Sequence, residues 1–219
     1  MTSRVPGEAF RRSDETPDEE FYGVPRLVTH IDDRAIAAVT QLYREYFPPD
    51  GVILDLMSSW VSHLPPEIEY ARVVGLGLNH MELDANPRLT ESIVQSLNRT
   101  PALPFGDQEF DAACICVSIQ YLTNPIAVLA EVGRVLRPGA PIVITFSNRC
   151  FPTKAVMVWQ MLDDTGHIAL VERYLAEAGC WENIEHHVAP PRRGSDPLYA
   201  VLARSSKAEP RALLSSSLR

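Results

Sequence analysis

Short apolar runs alternate with amphipathic stretches along most of this chain. Asp32 and Asp33 precede Ile36, Val39, Leu42, Tyr43 and Phe47, which recur at helical spacing. An Asp serves as N-cap, and Pro48 and Pro49 stop the helix. Residues 52–56 and 71–76 are mainly apolar runs of strand length. Residues 112–117 are continuously apolar, as in a strand buried on both faces. Between the first two runs, residues 59–63 are expected to open a short helix, which Pro65 and Pro66 stop. Residues 82–91 are expected to be helical in part and residues 93–97 to form a short strand.

Asn124 and Pro125 start a helix with Pro in its first turn, and Ile126, Leu129, Val132, Val135 and Leu136 are its apolar face. Pro138 and Gly139 end it, and residues 141–146 make the next strand. Residues 151–162 and 168–178 read as helices, the second closed by Gly179. Residues 181–188 and 198–203 read as final strands joined by the turn PPRRGSDP. Residues 1–20 lack apolar periodicity and are expected to be mobile, as is the Ser-rich tail, 205–219. Residues 21–31 mix aromatic and apolar side chains with Pro25, which suits a lid or an N-terminal helix over a cleft. One domain over 21–204 results.

Strands and helices alternate until two strands close the chain. That order implies an α/β fold: a three-layer, doubly wound, mainly parallel seven-stranded sheet with one antiparallel strand. Ligands of such sheets bind at the carboxyl ends of the strands. The loops after Asp55, Gly77, Leu97 and Val117 are therefore the candidate site.

Charge narrows the partners. With 20 Lys and Arg against 28 Asp and Glu, the net charge is −8. So acidic a chain has no general attraction for a phosphate backbone, and a small molecule is the expected partner rather than nucleic acid. Cys114 and Cys116 share one face of a strand and read as core thiols. No second close-spaced Cys/His pair suggests a metal, and His186 with His187 lacks a third ligand. Nothing points to a disulfide framework, a secretory leader or a membrane-spanning run, so a reducing, cytoplasmic location is expected. The oligomeric state is left open.

Two blocks carry a resemblance. "LPFGDQEFDA" and "VLAEVGRVLRPGA" are similar to the LPFxDxxFD and RVL(K/R)PGG signatures of class I S-adenosylmethionine-dependent methyltransferases acting on small molecules. Ala140 replaces the second glycine of that turn. The resemblance spans roughly residues 50–150 by motif. These blocks mark a fold; Phe105 and Phe110 pack the core. The runs SSWVSH and SNRCFPTK are similar to those of a small methyltransferase-like group.

The resemblance implies S-adenosylmethionine as cofactor and places its residues, with departures. The family has an acidic residue and a glycine-rich loop after its first strand, where glycine lets the backbone approach the ligand. Here Asp55 keeps the acid, but Met57, Ser58, Ser59 and the residues to His63 include no glycine. Serine hydroxyls offer donors and acceptors, and Ser58 or Ser59 at a helix start would face the cofactor carboxylate. Gly77 stands where the family's ribose-binding acid is expected, so Asn79 or Glu82 would supply the acceptors. Leu97 and Asn98 correspond to the adenine contacts.

Ser118, Gln120 and Tyr121 follow the fourth strand, beneath the methyl group. Gln120 and Tyr121 are candidates for orienting an acceptor, and His63 is a candidate base. Asn148, Arg149 and Lys154 follow the fifth strand, where the two cations could recognise an acidic substrate. Methyl transfer to a small molecule by direct displacement is the expected function. A non-catalytic nucleoside-binding or regulatory protein on the same fold is the alternative, and a nicotinamide-dependent oxidoreductase a weaker one.

Overall fold

The computed structural model of the chain describes residues 7–189 and 194–206. Five strands lie parallel: β1 (Val52–Ser58), β2 (Arg72–Gly77), β3 (Glu91–Val94), β4 (Ala112–Cys116) and β5 (Pro141–Phe146). β6 (Trp181–Ala189) and β7 (Leu198–Ser205) complete the sheet in the order β3-β2-β1-β4-β5-β7-β6. β7 is antiparallel to both neighbours, so it alone runs against the other six. The expected seven-stranded, doubly wound sheet is the one observed.

Strand alternation sorts the core into two layers. Leu54, Leu56, Val74, Leu76, Ile142 and Ile144 face α4 (Pro125–Val135) and α6 (Asp164–Ala178). Ile53, Val73, Cys114 and Val143 face the opposite way, onto Ala35, Val39 and Tyr43 of α2 (Asp33–Tyr46). Asp32 caps α2 by accepting from Ala35 N at 2.9 Å. Phe105 packs edge-on against Phe110, centroids 4.8 Å apart, and the turn after α4 uses Gly139 at φ +81°.

Several local expectations are overturned by tertiary partners. No helix forms over residues 59–63, because Met57 (φ +55°) and His63 (φ +53°) are left-handed and the Ser58 and Ser62 hydroxyls bond Asp55. The helix after β2 is α3 (His80–Asp84), begun early by Asn79, whose side chain accepts from Met81 N and Glu82 N. β3 lies two to three residues before the run expected at 93–97. Within 151–162 only α5 (Met157–Gln160) is helical. Backbone groups flanking it bond elsewhere: Asp14 N to Thr153 O, Val156 N to Gln120 O and Met157 N to Arg11 O.

Residues 7–20, read from the sequence as part of a mobile arm, instead pack as a strap. It comprises a 3-10 turn, Gly7–Phe10, and α1 (Asp18–Phe21), with Asp18 buried. Residues 1–6, residues 190–193 of the PPRRGSDP turn and residues 207–219 lie outside the described residues.

β1 ends in a bulge. Leu56 pairs with Leu76 and Ser58 with Gly77, leaving left-handed Met57 unpaired. A Cβ on Gly77 would lie 2.3 Å from the Ser58 carbonyl oxygen. Glycine therefore stands there because the bulged backbone of β1 crowds it; a side chain has no room. Gly77→Ala is expected to destabilise the protein by about 1–3 kcal/mol, read as a lower urea midpoint.

Candidate functional site

A cavity of about 340 Å³ opens at the carboxyl ends of β1, β2 and β4. Its floor is Asp55 and the β1 bulge, with Met57, Ser58, Ser59 and His63 on one side. Gly77, Asn79 and Glu82 line it from β2 and α3, Leu97 and Asn98 from the loop after β3, and Ser118 and Tyr121 from the loop after β4. Arg149 reaches its edge from the loop after β5. Most candidates from the sequence thus converge on one space. Gln120, Asn148 and Lys154 do not line it.

Asp55 is buried and accepts hydrogen bonds from the Ser58 and Ser62 hydroxyls, each at 2.6 Å, and from Cys114 Sγ at 3.5 Å. Burial pushes its pKa up, against the lowering effect of those donors. Ser62 also accepts from Asn86 Nδ2 at 2.8 Å, which ties the loop to the residues after α3. Hydroxyl bonds thus hold a loop that lacks glycine. Three non-glycine residues with left-handed backbone, Met57, His63 and Val117 (φ +45°), line this single cavity. Such strain clusters at ligand sites, where surrounding bonds over-determine it.

Glu82 accepts from Ser59 Oγ and from Arg26 N, both at 2.6 Å. Asn79 donates to Tyr22 O at 2.9 Å. Trp60 Nε1 donates to Val28 O at 3.0 Å. These bonds lay residues 22–31 across the cavity, so Tyr22, Arg26 and His30 line it too. The mixed aromatic composition of residues 21–31 suggested a lid, but no periodicity identified its inward side chains. Cys116, taken from the sequence as a core thiol, also borders the cavity.

Other candidates have different duties. Asn98 is a bracket: its amide donates to Asp18 Oδ2 at 2.7 Å and to Tyr121 O at 2.9 Å, and its oxygen accepts from Thr123 N at 2.8 Å. The Tyr121 hydroxyl accepts from Phe151 N at 2.8 Å, and burial pushes its pKa up to about 12, so it is no base at neutral pH. Gln120 is buried, with Nε2 donating to Val117 O at 2.8 Å, and it braces the strained turn rather than a ligand.

Lys154 is fully buried. Its ammonium donates to Thr16 O at 2.6 Å and Thr16 Oγ1 at 3.2 Å, and lies 3.5 Å from Asp14 Oδ1 and 3.6 Å from Asp18 Oδ1. Arg12 bonds Asp18 at 2.6 Å. Lys154 therefore anchors the strap and recognises no substrate. Arg149 pairs with Asp196 at 2.8 Å on an exposed rim, and Asn148 is exposed beside it. A substrate-recognising cation pair is thus replaced by one anchor and one surface ion pair.

Among the described residues, the Tyr22 hydroxyl and Ser118 Oγ are buried without a partner, and both residues line the cavity. No group of three or more potential metal ligands occurs among them either. The sheet order and the cavity at the strand ends are those of the class I methyltransferase fold.

Comparison with known proteins agrees. Residues 58–144 match the family model described as a methyltransferase domain. A demethylmenaquinone methyltransferase from a Mycobacterium species is 40% identical over 55 residues, covering 23% of this chain and 24% of that protein. The matches to curated relatives span about a quarter of their length or less. Among solved structures, the cyclase SpnF has a TM-score of 0.59 at 13% identity, covering 87% of this chain and 91% of the other. A S-adenosylmethionine-dependent methyltransferase of Thermotoga maritima has a TM-score of 0.58 at 15% identity, covering 79% and 89%. Residues 58–144 thus resemble a methyltransferase domain, and the fold is that of S-adenosylmethionine-dependent methyltransferases.

Lys154→Ala is expected to destabilise the protein by roughly 1–3 kcal/mol, since it leaves the Thr16 carbonyl without its donor and Asp18 with Arg12 as its one cation. Limited proteolysis would then cut within residues 7–21. A second expectation concerns pH. Burial lowers the pKa of His63, so the folded chain resists a proton that the unfolded chain takes up near the ordinary 6.5. Stability should fall as pH drops through that value. His63→Asn, which tolerates the left-handed backbone, should flatten the dependence in thermal scans from pH 7.5 to 5.5.

Proposed function

We propose that this protein binds S-adenosylmethionine in the strand-end cavity and directs its methyl group to a small-molecule acceptor. The observation that carries the reading is the coincidence of that cavity with the loops of the family-matched segment, residues 58–144. The residues fit the cofactor. About 340 Å³ lies within the range of small-ligand pockets, and the unpartnered Ser118 and Tyr22 hydroxyls offer polar contacts.

In this reading Asp55 holds the β1 loop in place through Ser58 and Ser62. Met57 and Leu97 provide apolar walls, Leu97 against the adenine. Glu82, already at the rim through Ser59, accepts from the ribose hydroxyls in place of the acid that Gly77 displaces. Asn79 shapes α3 around it. Asn98 fixes the floor of the adenine pocket through Tyr121 and Asp18, and Ser118 lies beneath the transferred group. When bound, the cofactor supplies an electrophilic methyl on a sulfonium centre. The protein's part is to align an acceptor with that methyl, exclude water beneath the strap, and take a proton at the His63 imidazole. Positioning of this kind supplies much of the acceleration of such displacements.

The net charge of −8 favours a metabolite over nucleic acid as acceptor. Among the described residues no helix is long and apolar enough to cross a membrane. Free cysteines accord with a cytoplasmic setting. A second reading, a binder without turnover, draws on one observation: Asp55 and Glu82 already have partners within the protein.

Titration calorimetry with S-adenosylmethionine and S-adenosylhomocysteine is expected to show one site. Glu82→Ala should weaken it about tenfold, the effect of one charged hydrogen bond. No heat with either compound from folded protein would overturn the proposal. Binding without methyl transfer in an open metabolite screen would establish the second reading.

A further inference from the structure

The cavity walls also bear on the acceptor. Phe151, after β5, is the hub of an aromatic cluster. Its ring centroid lies 5.5 Å from Phe21, 6.3 Å from Tyr22, 5.4 Å from His30 and 6.1 Å from Tyr121. Tyr22, His30, Tyr121 and Phe151 all border the cavity. They come from opposite sides, two from the segment before α2 and two from the loops after β4 and β5. Such walls suit a flat ring, because each aromatic contact adds roughly 0.5–1.5 kcal/mol beyond burial.

The charged groups bordering the same space are engaged in bonds within the protein. Asp18 is held by Arg12 at 2.6 Å and Asn98 at 2.7 Å. Glu82 accepts from Ser59 and Arg26 N. The Arg26 guanidinium donates to Phe21 O at 2.9 Å and lies 4.8 Å from the Phe21 ring centre. Arg149 is paired with Asp196. An ionic acceptor would shed water and meet charges whose hydrogen bonds are already taken up within the protein, which is costly. His63 borders the cavity, and its ring makes no hydrogen bond among the described residues. Burial keeps that ring neutral at neutral pH, so it has a lone pair to accept a proton.

Resting on the methyltransferase reading, we propose that the acceptor is a neutral, planar aromatic compound bearing a ring hydroxyl, methylated on that oxygen with His63 as base. The His63 imidazole takes the hydroxyl proton as the oxygen's electron pair forms the new bond to the methyl carbon. The carbon–sulfur bond breaks with its pair on sulfur. An aryl methyl ether and S-adenosylhomocysteine result, and His63 returns the proton to water.

The test is calorimetry of the full chain, with and without S-adenosylhomocysteine, against 2-naphthol, 2-naphthoate and cyclohexanol. The naphthol is expected to bind at least about tenfold more tightly than the other two, and Phe151→Leu, which keeps apolar volume but removes the ring, to weaken it about tenfold. His63→Asn should leave naphthol affinity within about twofold, yet slow ether formation, followed by mass spectrometry, by about a hundredfold or more. Tighter binding of the naphthoate or the alcohol, or an unchanged rate in His63→Asn, would overturn the proposal. Naphthol binding with no S-adenosylmethionine binding would instead overturn the methyltransferase reading and the transfer step, leaving the aromatic subsite standing.

Discussion

The buried carboxylate of Asp55 is the interaction on which the rest of this site depends. It sits at the end of a central strand, on the face covered by α2, where an ionised group is costly unless its lone pairs are filled. Two serine hydroxyls and a thiol fill them. Ser58 ends β1 and Ser62 lies in the loop after it, so satisfying the carboxylate also dictates the loop's path. The left-handed turns at Met57 and His63 follow from that path. The usual way to make such a loop is glycine, which adopts positive φ without strain. Here side-chain bonds worth about 1.5–3 kcal/mol each to a charged acceptor offset a strain of similar size.

The bulge that starts this loop sets the neighbouring strand as well. Ser58 crowds Gly77, which excludes a side chain from the position where the resemblance leads one to expect an acidic residue. The nearest carboxylate that reaches the same rim is Glu82 on α3, held there by Ser59. One local distortion of β1 therefore accounts for both departures from the family pattern. Above it, the strap is fastened by two cations and two acids, Arg12, Lys154, Asp18 and the part-exposed Asp14. Breaking such a set costs more than forming it gains, so it secures the strap's geometry more than the protein's overall stability.

Much of the fold was legible in the sequence, for a physical reason. Strand runs such as 52–56, 112–117 and 141–146 bury both faces, and the helical stripe from Ile36 to Phe47 buries one, so their periodicity is direct. Elements whose backbone bonds to remote segments were misread. Residues 59–63 carry helix-start residues, and residues 151–162 an apolar pattern, yet hydrogen bonds to Asp55, Gln120 and Arg11 override both. The lining of the candidate cavity was legible where a strand end positions the residue, as with Asp55, Gly77 and Ser118. It was not legible for Lys154, whose place in the chain suggested a cleft cation.

The sequence by itself determined the order of strands and helices, the strand ends at which the cavity opens, and the absence of glycine after β1. These are encoded locally, in periodicity and in single residue types. Only the tertiary structure decided which polar groups are engaged and which face the cavity unpartnered. Lys154 meets Thr16 across 138 residues, Asn98 meets Asp18 across 80 and Asn79 meets Tyr22 across 57. Periodicity orients a side chain within its own element but carries no information about the partner it will meet. That partner exists only once the sheet has brought distant loops to one edge.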